Sequence, residues 1–347
     1  MIVSNFQYLL VFISALLICG ALTPLMKKLA IKFSIVDKPS QSHKTHIDPV
    51  PYLGGLAIMV TIWLVTLCGS FFIQIDRSSF EILLSIILPA TLIGLIGLWD
   101  DVKNLRPFPR FVAQSVGGVF TASLIVSTNT IGSPTGNNSL DFFITVFWIV
   151  GVTNSVNFFD NLDGGASGTV AIISIFLFAI AFNQGQFLVS ALAVVTAGAT
   201  LGFLIWNKTP AKIYMGDAGA LFLGIIIAVL TIRLDPEVGP QSRALAIPLL
   251  LMAVPILDTT TVVISRLSRG ISPFTGGRDH LSHRLMRKGL GRKTTAYVLW
   301  AMAAAFGSVA FFACCVETTL AIPAIYVAGA IWLLLLVTFL RIPATDK

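Results

Sequence analysis

Residues Asp141–Ile180 read DFFITVFWIVGVTNSVNFFDNLDGGASGTVAIISIFLFAI. Two apolar runs, near 142–156 and 169–183, enclose a polar turn that holds Asn154, Asn157, Asp160, Asn161 and Asp163 and ends in Gly164, Gly165 and Gly168. Each run approaches the ~20 apolar residues a helix needs to cross a bilayer. The pattern predicts two membrane-spanning helices joined by a turn at the membrane edge. An unpaired amide or carboxylate in hydrocarbon is costly, so such residues at the end of a span need a partner or a task. On a continuous helical turn Asn157 and Asn161 share a face, and so do Asp160 and Asp163.

The same alternation of apolar run and short polar loop fills the chain. Of 347 residues, 56% are hydrophobic and 11% charged, against about 25% charged in an ordinary soluble domain. Apolar runs near 6–26, 53–73, 82–98, 111–126, 142–156, 169–183, 187–206, 218–232, 245–264, 296–316 and 320–340 predict an all-α, polytopic membrane protein with about eleven transmembrane helices. No linker, low-complexity tract or repeat divides it, so residues 1–347 are expected to form a single membrane-embedded domain. The first run lacks a basic leader and a small-residue cleavage site, which predicts a retained span. Cys19, Cys68, Cys314 and Cys315 all lie inside apolar runs, without metal-ligand spacing, and are read as packing residues.

The net charge of +7 is unevenly placed. All but Arg77, Arg233 and Arg243 of the 23 Lys and Arg fall in the loops after odd-numbered spans or in the C-terminal tail. By the positive-inside rule this puts the N-terminus outside and the C-terminus in the cytoplasm. The excess charge therefore faces lipid headgroups or an anionic substrate, and nucleic acid is not expected as a partner.

The loops on the opposite side are chemically plain, whereas those on the basic side carry KTHIDPVPYLGG, WDDVKNLRPFPR, NSVNFFDNLDGGASG, NKTPAKIYMGDAG and GGRDHLSHRLMRKGLGRKT. Asp100 and Asp101, followed by Lys103 and Arg106, suit a cation site, a general base or a solvated helix end. Asp217 opens the eighth span between Gly216 and Gly219, where a divalent cation bridging phosphates would fit and a plain N-cap would look alike. His280 and His283 stand among Arg278, Arg284, Arg287, Lys288, Arg292 and Lys293, more suited to phosphate than to zinc because no third ligand accompanies them. His43, Lys44 and His46 repeat that pattern more weakly. Asp258, in PILDTTTVV, is ionisable within an apolar run, which marks either function or a local pairing. Carboxylates, bases and glycines gathered on one membrane face indicate Mg²⁺-assisted phosphoryl chemistry.

With these five segments in this order, the chain resembles the polyprenyl-phosphate N-acetylhexosamine-1-phosphate transferases, bacterial enzymes that begin lipid-linked glycan synthesis. The resemblance covers most of the chain and rests on PYLGGLAI, LWDDVKNLRP, NSVNFFDNLDGG, IYMGDAGALFLG and HLSHRLMRKGLGRKTT. It implies transfer of a sugar 1-phosphate from a UDP-N-acetylhexosamine to polyprenyl phosphate with release of UMP. Also implied are Mg²⁺ as cofactor, with Mn²⁺ as an alternative, and a bacterial inner-membrane location with the site facing the cytoplasm. A homodimer is left open. On the matching positions, Asp217 corresponds to the metal-binding aspartate, assisted by Asn157. Asp100 and Asp101 correspond to the acidic pair that orients the lipid phosphate, while Asp160 and Asp163 correspond to catalytic positions of the central motif. His280 and His283 correspond to the histidine motif at the diphosphate, and Lys44, Lys103, Asn154, Asn161, Arg278 and Arg284 to substrate-binding positions.

Two positions depart from the family pattern: Asn161 stands where glycine is common, and Ser282 where a third histidine is frequent. The triple-histidine signature of the muramoyl-pentapeptide branch is absent, which favours a branch using UDP-N-acetylglucosamine or a related hexosamine. A transporter of lipid-linked precursors is the alternative of another class. It predicts ionisable groups near mid-membrane and polar groups on both sides, whereas this chain concentrates them on one face.

Overall fold

The computed structural model describes residues 4–37, 50–103, 107–127, 137–236 and 238–344. Thirteen helices account for nearly all of them: α1 (Asn5–Lys32), α2 (Gly54–Ile73), α3 (Arg77–Lys103), α4 (Pro107–Ser127), α5 (Asn138–Phe159), α6 (Gly165–Asn183), α7 (Phe187–Asn207), α8 (Gly216–Arg233), α9 (Gln241–Leu251), α10 (Ala253–Leu267), α11 (Leu281–Arg287), α12 (Arg292–Cys315) and α13 (Thr318–Arg341). A two-residue hairpin, β1 (Val36–Asp37) and β2 (Val50–Pro51), pairs antiparallel with Val36 opposite Pro51. The chain is an all-α, multi-pass membrane protein. Among the described residues nine helices are long and apolar enough to cross a bilayer, or up to ten if one sharply bent pair is a single span. The run expected at 111–126 is a shorter apolar helix within α4.

The bent pair is α9 and α10, which meet at 74°. The unbroken span expected over 245–264 is therefore corrected to two helices. Apolar residues continue through the break, so hydropathy does not reveal it. Pro255 supplies the physical reason: it has no N–H to donate to Leu251 four residues earlier, and its ring collides with that carbonyl. Leu251 is the last residue of α9.

Helix α8 is the centre of the molecule. Its strongest apolar window is 83% buried, against 17% for α1 and 11% for α13, and a helix apolar on every side belongs in such a position. Helices α2, α3 and α5 pack around it. On the α3 side close approach requires glycine: a Cβ on Gly97 would stand 2.5 Å from the Asp217 carbonyl oxygen. Helix α3 thereby brings its last turn against the first turn of α8. At the same end Gly54 and Gly55 donate to the carbonyls of Tyr214 and Met215 at 3.0 and 2.9 Å, and Tyr214 donates back to Pro51 at 2.8 Å. The start of α2 and the loop before α8 are thus laced into one rim.

Candidate active site

The rim forms where the C-terminal ends of α3, α5 and α10 meet the N-terminal ends of α8 and α11. Asp217 lies in the first turn of α8. Its carboxylate accepts from Asn157 Nδ2 of α5 at 2.6 Å. Asp101 reaches across from α3, and its two oxygens accept the backbone N–H groups of Asp217 at 2.8 Å and Ala218 at 3.1 Å. This is a helix cap supplied by another helix, satisfying amides that a helix start leaves open. Gly216 makes room for it: its φ is +72° and a Cβ there would lie 2.5 Å from Asp101 Oδ2. The adjacent pair read from sequence thus divides. Asp101 faces the backbone of α8, while Asp100 is buried beside it.

Helix α5 ends at Phe159, and Asp160 caps it with non-helical backbone at φ −79° and ψ 51°. The expected sharing of faces across this stretch fails for that reason, because spacing rules hold only on a continuous helix. Asn157 turns to Asp217. Asn161 instead donates to the Phe158 carbonyl at 2.7 Å, and its Oδ1 accepts from the Ser282 hydroxyl at the start of α11. The two departures from the family pattern are therefore hydrogen-bonded to each other. Burial, with the carboxylates of Asp217 and Asp163 nearby, pushes the Asp160 carboxyl up to about 7. Asp163 Oδ2 accepts the Ala211 N–H at 3.1 Å and so braces the loop before α8. Asn154 folds back to its own helix, donating to the Val150 carbonyl at 2.8 Å.

The loop from α10 to α11 is held by buried charge. Arg266 and Asp279, each 4% exposed along the side chain, pair at 2.7 Å, and Arg269 adds a second contact to Asp279 at 2.9 Å. Burial works to raise the Asp279 carboxyl, but the Arg266 guanidinium outweighs it and holds Asp279 below the usual carboxylate range. The next residue, His280, places Nδ1 2.7 Å from Asp258 Oδ2. Burial pushes the His283 imidazole down to about 4, His280 beside it adding to the shift, so His283 is uncharged at neutral pH.

Arg284 is 1% exposed and donates to the carbonyls of Asp279 and Phe339, both at 2.8 Å, and of Ile342. Its guanidinium ties α11 to the end of α13, and Nη2 is buried without a hydrogen-bond partner among the described residues. Arg287 does similar work, donating to Arg278 O at 2.6 Å and Pro343 O at 3.0 Å. Arg278 is half-buried, Lys103 is exposed at the end of α3, and Lys44, with His43 and His46, lies outside the described residues.

Asn207 carries more of the site than its place in an apolar run suggests. Its Oδ1 accepts from Gly164 N at 3.1 Å and Ser167 Oγ at 2.8 Å, and its Nδ2 donates to the Ile213 carbonyl at 3.0 Å. This buried amide ties the start of α6 to the loop before α8. Its signal in the sequence was an amide at the end of a span, the same signal that singled out Asn154.

Asp217 meets the Asn157 amide at this point, with the carboxyl groups of Asp101 and Asp160 close by. Among the described residues no three His, Cys, Asp or Glu side chains converge as a closed metal cage. Such a rim suits an ion shared with a substrate: magnesium commonly takes one or two carboxylates and completes its shell from phosphates and water.

Comparison with known proteins places the chain among membrane sugar-phosphate transferases by similarity. The family model for glycosyl transferase family 4 matches residues 83–235, which include Asp100, Asp101, Asn157, Asp160, Asp163 and Asp217. A probable undecaprenyl-phosphate N-acetylglucosaminyl 1-phosphate transferase of Bacillus subtilis is 32% identical over 306 residues, 83% of this chain and 80% of that protein. A decaprenyl-phosphate N-acetylglucosaminephosphotransferase of Mycolicibacterium smegmatis is 30% identical over 86% of this chain and 80% of its own length. A phospho-N-acetylmuramoyl-pentapeptide-transferase of Staphylococcus carnosus is 33% identical over a shorter stretch, 67% of this chain and 76% of that protein. By the family-model match and by the identity and length of these matches, the chain belongs to glycosyl transferase family 4.

Proposed function

We propose that the protein transfers N-acetylglucosamine 1-phosphate from UDP-N-acetylglucosamine to a polyprenyl phosphate in the bacterial cytoplasmic membrane. An oxygen of the lipid phosphate attacks the sugar-bearing phosphorus, the bond from that phosphorus to the bridging oxygen breaks, and UMP leaves carrying the bridging oxygen. A diphosphate-linked lipid sugar remains. Lipid phosphate is largely ionised near neutral pH, its second pKa being about 6, so little base catalysis is required. The difficulty is that both reactants are anionic, and offsetting their repulsion is the main task of the site.

The observation that carries this reading is the junction at the start of α8, where Asp217, Asn157 and the capping Asp101 meet within hydrogen-bonding distance. Asp217 and Asn157 would hold magnesium there. When bound, the ion supplies neutralisation of diphosphate charge. The chain's own residues do the rest: Asp101 fixes the first turn of α8, Asp163 and Asn207 fix the loop before it, and His280 stands against Phe158 beside Asn157. The site is proposed to face the cytoplasm, with the N-terminus outside, because the basic residues cluster on the same side of the chain as these motifs.

Purified protein given polyprenyl phosphate and a panel of UDP-sugars tests the reading. UMP release with UDP-N-acetylglucosamine is expected, stopped by chelation and restored by Mg²⁺. Release only with UDP-N-acetylmuramoyl-pentapeptide would move the protein to the other branch, and release with no UDP-sugar would overturn the transferase reading.

A further inference from the structure

Asp258 belongs to none of the motifs that carry the proposed reaction. It sits in α10, fully shielded from solvent, and both carboxylate oxygens are committed. Oδ2 lies 2.7 Å from His280 Nδ1, and Oδ1 accepts the Leu281 backbone N–H at 2.7 Å. The His280 side chain is 10% exposed. Its ring stands edge-on to Phe158, with centroids 6.0 Å apart. Phe158 belongs to the same turn of α5 as Asn157, so the imidazole borders the wall that carries Asp217's partner. An ionised carboxylate only accepts hydrogen bonds; paired with Nδ1 at this distance, it places the ring proton on Nδ1. Nε2 is then the nitrogen left for a ligand, and it donates to an anion when the ring carries its second proton, the form a carboxylate on Nδ1 stabilises.

We propose that Asp258 is a positioning residue for the transfer reaction, fixing the orientation of His280 and stabilising its imidazolium so that Nε2–H donates to the diphosphate of the nucleotide sugar. This rests on the transferase reading above. The surrounding contacts fit a rigid mount. Arg266 and Arg269 clamp Asp279 immediately before His280, and Arg284 anchors the helix immediately after it. A histidine held on three sides in this way loses little freedom when it engages a ligand, which is what preorganised electrostatic stabilisation requires.

The competing role is purely structural, because the Leu281 contact also caps α11. Asp258→Asn separates the two. The amide oxygen still accepts from Leu281 N–H, so a simple cap would leave turnover within about threefold of wild type. The amide nitrogen, however, donates to Nδ1, which displaces the Nδ1 proton and removes the carboxylate charge that stabilises the imidazolium.

Expected for Asp258→Asn is a fall of about 100-fold in kcat for UMP release, with KM for the UDP-sugar changed by less than about threefold. The double variant Asp258→Asn/His280→Ala should be no slower than His280→Ala alone, because the two act as one unit. Nitrogen-15 spectra of histidine-labelled wild-type protein, assigned with His280→Gln, read the tautomer without turnover and should show Nδ1–H. Near-normal kcat in Asp258→Asn, losses that multiply in the double variant, or an unprotonated Nδ1 in wild type would each overturn the proposal. Wild-type protein releasing no UMP would overturn the transferase reading instead, and the nitrogen spectra would still decide the Asp258–His280 pairing.

Discussion

Asn161 and Ser282 show how much of the site is held by single hydrogen bonds between distant segments. The serine hydroxyl donates to Asn161 Oδ1, and the asparagine's amide nitrogen is occupied by the Phe158 carbonyl. A glycine at 161 would remove the acceptor and leave the nearly buried Ser282 hydroxyl to find another partner, at a cost of about 1–3 kcal/mol if it finds none. The bond joins the acidic loop to the histidine helix, so the two residues should act together. Asn161→Ala and Ser282→Ala are each expected to lower kcat/KM. In the double variant the losses should fall short of multiplying by about fivefold, a coupling near 1 kcal/mol. Losses that multiply fully would show that the bond transmits nothing. Neither residue's partner was legible in the sequence: the same letters suit a solvated turn, and only the folded chain brings positions 161 and 282 together.

Among the elements, the recurring device is a carboxylate from one segment holding backbone amides of another. Asp101 of α3 caps α8, Asp258 of α10 caps α11, and Asp163 braces Ala211 in the loop between α7 and α8. Each locks the start or approach of an element that carries a candidate site residue. The arrangement at α8 depends on close packing of α3, and Gly97 is where it is tightest. Gly97→Ala would set a methyl group against the Asp217 carbonyl, forcing backbone movement that costs about 1–3 kcal/mol. It should also draw Asp101 off its amides. A lower unfolding temperature in detergent and a large loss of UMP release are expected, while Gly69→Ala, where nothing lies within 4 Å of the added carbon, serves as the control. Equal stability and activity in the two variants would argue against the packing role of Gly97. The sequence offered Asp101 as half of an acidic pair, because adjacency is visible in one dimension and a cap across two helices is not.

At the scale of the whole molecule, the membrane class was legible because the bilayer imposes a long, uninterrupted apolar run on every span. What escaped was the break at Pro255, where apolar residues continue across a bend, and the anchoring of Arg284 in the last turn of α13. A positive charge in a basic loop reads as a ligand for anions, yet here its Nε and Nη1 are given to three backbone carbonyls, and Nη2 is buried without a hydrogen-bond partner among the described residues. The sidedness inferred from the basic loops makes its own prediction. A reporter fused after Lys347 should fold and function in the cytoplasm, and activity of that reporter outside the membrane would reverse the orientation and put the site on the wrong face for a cytoplasmic nucleotide sugar.

All of these scales meet at Asp217, which opens the central helix, is held by Asn157 and stands on a backbone capped by Asp101. The most direct measurement is UMP release by purified Asp217→Asn beside wild type, with UDP-N-acetylglucosamine, polyprenyl phosphate and saturating Mg²⁺. Loss of about 100-fold or more in kcat, in a variant with the wild-type unfolding temperature and gel-filtration profile, is expected if this carboxylate is the metal-holding centre of the transfer. Near-normal turnover by the folded variant would contradict it and move the chemistry away from the start of α8.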